Sequence, residues 1–223
     1  MDGHGGASAE GIPLDALDFF EELAAENTRT WWQAQRARWE ESVREPMEWL
    51  TEALTDEFGA AHLYRPQRDV RFSHDKSPYK DHQGALAATV PGVGWYVQVS
   101  AAGLMTGGGF HPTGPDQTAR YRAAVDAPAT GQALEAVVHR LVGQGWETGG
   151  EAVRTRPRGV PADHPRLDLM RHKHLVVSRR HGAPDWLATD AVLDHVRADW
   201  RAVRPLVEWM TEHVGASQAP HRR

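Results

Sequence analysis

Apolar residues at helical spacing mark both ends of the chain. Near the start, Leu17, Phe20 and Leu23 lie three residues apart, which predicts a helix over 14–25. A longer apolar stripe, with intervals of three, four and seven residues, predicts a second and longer helix. Its members are Trp32, Trp39, Val43, Met47, Leu50, Leu54 and Phe58. A third helical pattern, over 189–214, closes the chain. Its apolar face comprises Leu193, Val196, Trp200, Val203, Leu206 or Val207, and Met210.

Threonine and proline residues predict where these helices begin and bend. Either Thr28 or Thr30 can cap the long N-terminal helix, because a threonine hydroxyl accepts a bond from an unpaired first-turn amide. Pro46 lies inside the same helix and lacks a backbone N–H, so we expect a kink or break near Glu45. Pro205 predicts a second kink, in the C-terminal helix.

Between these helices the hydrophobic period falls to two. Residues 84–90 and 95–101 alternate, and Pro91-Gly92-Val93-Gly94 between them suits a hairpin turn. Residues 104–110 predict a third strand, which Gly107-Gly108-Gly109 weakens. The remaining pattern predicts helices over 116–125 and 131–141, strands over 152–156 and 175–179, and a short helix over 165–170.

Strands in the middle and helices at both ends indicate an α+β fold. We expect a single domain over 14–215, with a largely antiparallel central sheet flanked by long N- and C-terminal helices. Residues 1–13 and 216–223 are polar or glycine-rich and are predicted to be flexible tails. Most of the nine tryptophans fall on helical stripes and are expected in the core, whereas Trp95, just after the hairpin turn, is expected to be exposed.

Composition narrows the class of protein. The 223 residues contain no cysteine, which excludes disulfides, thiolate metal sites and a cysteine nucleophile. The net charge of −5 argues against coating nucleic acid through bulk charge. No apolar run approaches 18 residues, and Met1–Gly11 lacks the basic and apolar regions of a signal peptide. We therefore expect a soluble, cytoplasmic protein without a membrane partner.

One charged segment, residues 64–82, stands out from this acidic chain. It contains five Lys or Arg and three Asp residues, a net charge of +2, interleaved with Phe72 and Tyr79. Arginine suits a carboxylate or phosphate, and apolar walls strengthen such contacts by excluding water. Two of the three lysines of the chain, Lys76 and Lys80, also lie here. The segment therefore predicts a pocket for a small anionic ligand.

Each candidate residue has a place in this hypothesis. Positive charge comes from Arg65, Arg68, Arg71, Lys76 and Lys80. Asp69 is expected to orient Arg68 or Arg71, and Tyr79 to donate a hydrogen bond. If the protein is an enzyme, Lys76 or Tyr79 is the candidate for proton transfer, because environment can tune either pKa toward neutrality.

Two other interpretations of the segment stay open. It can be a basic patch that binds nucleic acid or protein, or an internal ion-pair network that holds the fold together. No P-loop, dinucleotide fingerprint, HExxH, EF-hand or GxSxG motif is present. No metal site is predicted, and the sequence indicates neither a cofactor nor an oligomeric state.

The run Arg-Asp-Val-Arg-Phe-Ser-His-Asp-Lys-Ser-Pro-Tyr-Lys, residues 68–80, resembles the signature of the bacterial "domain of unknown function 2461" family. The similarity extends over most of the chain. It takes in 19–23, 27–32, Glu45-Pro46, 107–109, 163–165, 171–173 and 204–207. The resemblance implies no catalytic residue, because the family has no assigned function. It places Arg68, Asp69, Arg71, Phe72, Asp75, Lys76, Tyr79 and Lys80 in the hallmark segment, and Lys173 in a second block that we expect to join the ligand site.

Overall fold

A computed structural model of the protein describes residues 11–69 and 75–219. In this part of the chain, six strands form one antiparallel sheet, in the order β1-β2-β3-β4-β6-β5, and helices lie at both ends. The predicted α+β fold with an antiparallel sheet is confirmed. The helices are α1 (Asp15–Ala25), α2 (Arg29–Trp39), α3 (Glu45–Glu52), α4 (Thr55–Phe58), α5 (Pro115–Asp126), α6 (Pro128–Gly143), α7 (Leu167–Arg171) and α8 (Ala191–His213). The strands are β1 (Ala61–Leu63), β2 (His82–Val90), β3 (Val93–Ser100), β4 (Gly103–Phe110), β5 (Glu147–Gly149) and β6 (Val176–Gly182).

The contacts divide the chain into two compact units. The first comprises the described residues of Met1–Leu86, Val97–Met105 and Arg180–Arg197. Its core is built on the apolar faces of the N-terminal helices. The second comprises the described residues of Ala87–Tyr96, Thr106–Arg179 and Ala198–Arg223. Its core includes the fully buried Tyr121, Leu134, Trp200 and Leu206.

The N-terminal helices of the first unit follow the predicted pattern. Phe19, Phe20 and Leu23 of α1 are buried. Thr28 caps α2, because its hydroxyl accepts the Trp31 amide at 3.2 Å. Ile12, ahead of α1, is also fully buried, and its amide donates to the Leu187 carbonyl.

Pro46 changes the winding of the long N-terminal helix. After α2, residues Glu40–Arg44 form a π-helical turn, and the Glu45 amide donates to the Glu40 carbonyl. Proline has no amide for the next α-helical bond, so a wider turn at this point fits its chemistry. The break that the sequence predicts near Glu45 is therefore confirmed as a change of helix type.

The glycine triplet of β4 is compatible with a strand because the neighbouring elements approach it closely. A Cβ atom on Gly107 would lie closer than 3.0 Å to the Val177 carbonyl, and one on Gly108 would meet the Val203 side chain at 2.7 Å. The absence of side chains here admits the backbone of β6 and the face of α8. The predicted third strand is confirmed.

Two sequence expectations about the second unit are wrong. Residues 152–156 do not form a strand: Gly150 turns the chain with φ 105°, and only Ala152 makes an isolated bridge, to His172. On the side of β6 away from β4, the strand that pairs with it is β5, nearer the N-terminus than residues 152–156. Trp95 is buried rather than exposed, and its indole N–H donates to the Trp200 carbonyl of α8 at 2.9 Å.

Arg166 closes the end of α5 in the second unit. Its side chain is almost fully buried and donates to the Val125 and Asp126 carbonyls at 2.7 and 3.0 Å. These are last-turn carbonyls that lack a partner within the helix, and a cation also suits this end of the dipole. Gly131 of α6 leaves the space for the Arg166 side chain.

We expect Gly131→Ala and Gly143→Ala, both in α6, to have opposite effects on stability. A Cβ at Gly131 would collide with the Val125 carbonyl and the Arg166 side chain, whereas one at Gly143 would meet nothing within 4 Å. Gly131→Ala should lower the free energy of unfolding by about 2 kcal/mol through overpacking. Gly143→Ala should raise it by about 0.5 kcal/mol, because alanine loses less backbone entropy. Urea denaturation measures both, and equal effects would contradict the proposed role of Gly131.

Candidate functional site

The charged segment lies in the first unit as two antiparallel stretches, residues 64–69 and 75–82. The Arg68 amide donates to the Pro78 carbonyl, and the Lys80 amide donates to the Pro66 carbonyl, both at 2.9 Å. These bonds extend the β1–β2 pairing toward the middle of the segment. The predicted site residue Arg71 and its neighbour Phe72 lie outside the described residues.

Tyr79 anchors this segment to the N-terminal helices. Its ring is 8% exposed and stacks on Trp32, with 4.2 Å between ring centroids and 9° between planes. The Asn27 side chain bonds both backbone groups of Tyr79, donating to its carbonyl at 3.0 Å and accepting from its amide at 3.1 Å. Two blocks of the resemblance, 27–32 and the hallmark segment, therefore meet at this contact.

Arg68 has carboxylate partners within the segment. Its guanidinium forms an ion pair with Asp75 and lies 3.9 Å from a carboxylate oxygen of Asp81. Hydrogen bonds from Ser77, followed by the charge of Arg68, hold the pKa of the Asp75 carboxyl below its usual range. The positive charge of Arg68 is thus compensated locally, which makes it a weaker candidate for an external anion than its neighbours.

Arg65 and Lys80 form a second, uncompensated group of positive charge. The Lys80 ammonium donates to the Arg65 carbonyl at 2.8 Å and lies 5.4 Å from the centre of the Tyr64 ring. Burial, and then the nearby charges of Arg65 and Arg68, lower the pKa of Lys80. Neither Arg65 nor Lys80 forms a salt bridge with a residue in the described ranges.

The other predicted site residues occupy different surroundings. Asp69 and Lys76 are exposed in the first unit. Lys173 belongs to the second unit, where its ammonium forms an ion pair with Glu151. The ion-pair partner of Lys173 is thus a carboxylate of its own unit. Its participation in the ligand site stays a prediction.

A cleft of about 540 Å³ lies beside β1 in the first unit, and we call it the β1 cleft. Its lining includes Arg65 from the charged segment, together with residues of the π-helical turn, of α3 and of β2. Polar and aromatic members of the lining include Trp39 of α2, Arg44, Glu48, Glu52, His62 of β1, Tyr64 and Gln83. Arg65 is the member of the predicted site that contributes to this lining.

Sequence reasoning did not single out the other polar residues of the β1 cleft. The apolar stripe predicts that Trp39 is a core residue, and Gln83 is one polar position at the start of a strand. A polar residue at the inward position of β2 is a weak signal that could have marked Gln83, which is 1% exposed. Their common location depends on the pairing of β1 with β2, which no local pattern reveals.

Charges in the cleft fall into paired and unpaired groups. Arg44 is engaged by Glu40 at 2.7 Å and by Glu48 at 2.9 Å, each one helical turn away. Glu52, at the end of α3, is exposed and has no ion-pair partner in the part of the chain that the structure describes. With respect to residues 11–69 and 75–219, the cleft therefore presents one uncompensated cation, Arg65, and one uncompensated carboxylate, Glu52.

Two features are absent from the described residues, a cluster of metal ligands and a membrane-spanning helix. Across 11–69 and 75–219, no group of three or more His, Cys, Asp or Glu residues is arranged to hold a metal ion. In the same residues, no helix has the length and apolar character needed to cross a membrane.

The fold and the charged segment define an α+β protein with a polar cleft next to the edge strand of its sheet. The model of the family described as "Conserved hypothetical protein (DUF2461)" matches residues 15–209. The chain belongs to this family, as the resemblance of its motifs indicates. No curated protein and no solved structure matches it. The function therefore has to be argued from the site.

Proposed function

We propose that the protein binds a small anionic ligand, bearing a carboxylate or a phosphate, at Arg65 in the β1 cleft and at the neighbouring Lys80. The observation that carries this proposal is a pair of cations, Arg65 and Lys80, that no carboxylate of the described residues compensates. Arg65 lines a cleft of about 540 Å³, and the Lys80 ammonium donates to the Arg65 carbonyl. Ligand pockets typically have volumes of about 300–1,000 Å³.

The chemistry of the two side chains supports an anion. An arginine fork binds carboxylate or phosphate oxygens through two parallel hydrogen bonds, and a lysine adds a compact charge. Burial, and then repulsion from the nearby charges of Arg65 and Arg68, lower the pKa of Lys80. A bound anion would relieve the repulsion, so its binding is favoured by the arrangement of the free protein.

Titration calorimetry with inorganic phosphate and with citrate at low ionic strength tests this proposal. We expect Arg65→Ala and Lys80→Ala each to lower the affinity about tenfold, as loss of a charge-assisted hydrogen bond does. Arg36→Ala, which removes an exposed arginine of α2 in the same unit, should leave the affinity unchanged. The affinity of the wild-type protein should also fall as salt is added.

If neither phosphate nor citrate binds, the proposal is contradicted. Equal affinities in the wild type and in the Arg65→Ala and Lys80→Ala variants would also contradict it, because the anion would then bind elsewhere. Melting temperatures of the variants, measured without ligand, show that a lost affinity does not come from unfolding.

A further inference from the structure

Two buried polar atoms that have no hydrogen-bond partner among the described residues belong to side chains that line the β1 cleft. They are the indole N–H of Trp39, a donor, and the side-chain oxygen of Gln83, an acceptor. Trp39 is 8% exposed and Gln83 is 1% exposed. Buried polar groups nearly always have a partner, and an unpaired one is costly. Because both residues line the β1 cleft, a molecule bound there is the candidate partner for both atoms.

The orientation of the Gln83 amide follows from its other bonds. Its nitrogen donates to the Tyr64 carbonyl at 2.8 Å and to the Gly84 carbonyl at 3.1 Å. Exchanging nitrogen and oxygen would place the oxygen against two carbonyl oxygens, which repel it. The free atom is thus the acceptor, and a ligand must supply an N–H or O–H to it.

The charges of the cleft place a second requirement on a ligand, namely the signs of the charges that it carries. Arg65 offers positive charge, while Glu52 offers negative charge at the last residue of α3. The C-terminal end of a helix also attracts cations. A phosphate or a citrate bound at Arg65 would leave Glu52 without a partner. A molecule with one charge of each sign suits both residues.

We propose that the β1 cleft binds a short peptide with free termini. Its carboxylate binds Arg65, its ammonium binds Glu52, and a peptide group between them bonds the indole N–H of Trp39 and the side-chain oxygen of Gln83. A peptide group carries one carbonyl and one N–H, which complement this donor and this acceptor. The inference rests on the proposed function, because the peptide carboxylate is the anion at Arg65.

Trialanine with free termini, N-acetyl-trialanine and trialanine amide are the probes. Calorimetry should show that blocking either terminus weakens binding about tenfold, since each block removes one charge-assisted contact. In ¹H–¹⁵N spectra, trialanine should shift the indole resonance of Trp39, which Trp39→Phe assigns by removing it. Citrate bound at Arg65 alone should shift this resonance less.

Substitutions of acidic residues test whether the peptide ammonium binds Glu52. Glu52→Gln should weaken trialanine binding about tenfold and leave N-acetyl-trialanine binding unchanged, because the acetylated peptide has no ammonium. Glu41→Gln, a matched change at an exposed glutamate of the π-helical turn, should alter neither.

The outcomes separate this inference from the proposal on which it rests. If phosphate or citrate binds in an Arg65-dependent manner but trialanine does not, anion binding stands and the peptide inference is overturned. Equal affinities for trialanine and its acetylated form overturn it as well. If none of the anions or peptides binds, both proposals fail.

Discussion

Asp199→Ala should lower the free energy of unfolding by about 3 kcal/mol, the low end of the cost of breaking a buried ion pair. Asp199 is 4% exposed. It accepts a hydrogen bond from the Thr106 hydroxyl at 2.5 Å and forms an ion pair with Arg179 at 2.7 Å. Removing the carboxylate leaves a buried hydroxyl and a half-buried guanidinium without this partner. The partial exposure of Arg179, 30%, limits the loss because water can reach its charge.

Thermal and urea denaturation measure this effect. A loss of about 3 kcal/mol corresponds to a fall in melting temperature of roughly 6–12 °C for a domain of this size. Asp194→Ala is the matched control: it removes an aspartate of the same helix, 83% exposed and paired with Arg197. An exposed pair of this kind contributes less than about 1 kcal/mol. Similar losses in both variants would mean that burial of Asp199 adds nothing to the strength of its pair.

Tyr79→Ala should also destabilise the protein by about 3 kcal/mol, the usual cost of deleting a buried aromatic ring. The substitution removes the stack on Trp32 and leaves a cavity against the aromatic cluster of α1 and α2. Because Tyr79 connects the charged segment to these helices, we also expect weaker binding of phosphate in this variant. Urea denaturation and calorimetry measure the two effects.

Tyr79→Phe separates the ring from the hydroxyl. It keeps the stacking surface, so its free energy of unfolding should lie within about 1 kcal/mol of the wild-type value. If Tyr79 acts only as an anchor, this variant also keeps its affinity for phosphate. A stable Tyr79→Phe protein with lost affinity would instead assign the hydroxyl to the ligand, as the sequence hypothesis for Tyr79 expects.

The structure separates the cations of the charged segment into stronger and weaker candidates for ligand binding. Its composition makes all five cations equivalent candidates, but the fold gives them different partners. Arg68 pairs with Asp75, whereas Arg65 and Lys80 lie together without a carboxylate among the described residues. The ion-pair interpretation therefore fits Arg68, and the proposed experiments test the ligand-binding interpretation at Arg65 and Lys80.

The helices and the antiparallel strands were predictable because their signals are local. The apolar stripe that runs to Phe58 repeats at the helical period, and the alternation in β2 and β3 repeats at two residues, whatever the rest of the chain does. Thr28 and Pro46 act within one turn of their own positions, so the cap and the change of helix type follow from neighbouring residues. The charged segment was equally visible, since charge density is a property of composition.

The errors arose where distant residues decide the environment. Trp95 looks exposed after a turn, yet its partner Trp200 lies 105 residues later in α8 and covers it. The strand expected over 152–156 has suitable residues, but the edge of β6 pairs with β5 instead. The hydrophobic pattern of a segment does not predict which of several segments pairs with a given sheet edge.

The sequence by itself determined the type and order of the long helices and of the strands β2 to β4, and the segment in which positive charge collects. Only the tertiary structure decided which charges are compensated, and it brought Trp39, Glu52, Arg65 and Gln83 to one cleft. The physical reason is that periodicity is read over a few residues, whereas a cleft and the pairing of its polar atoms depend on contacts between segments far apart in the chain.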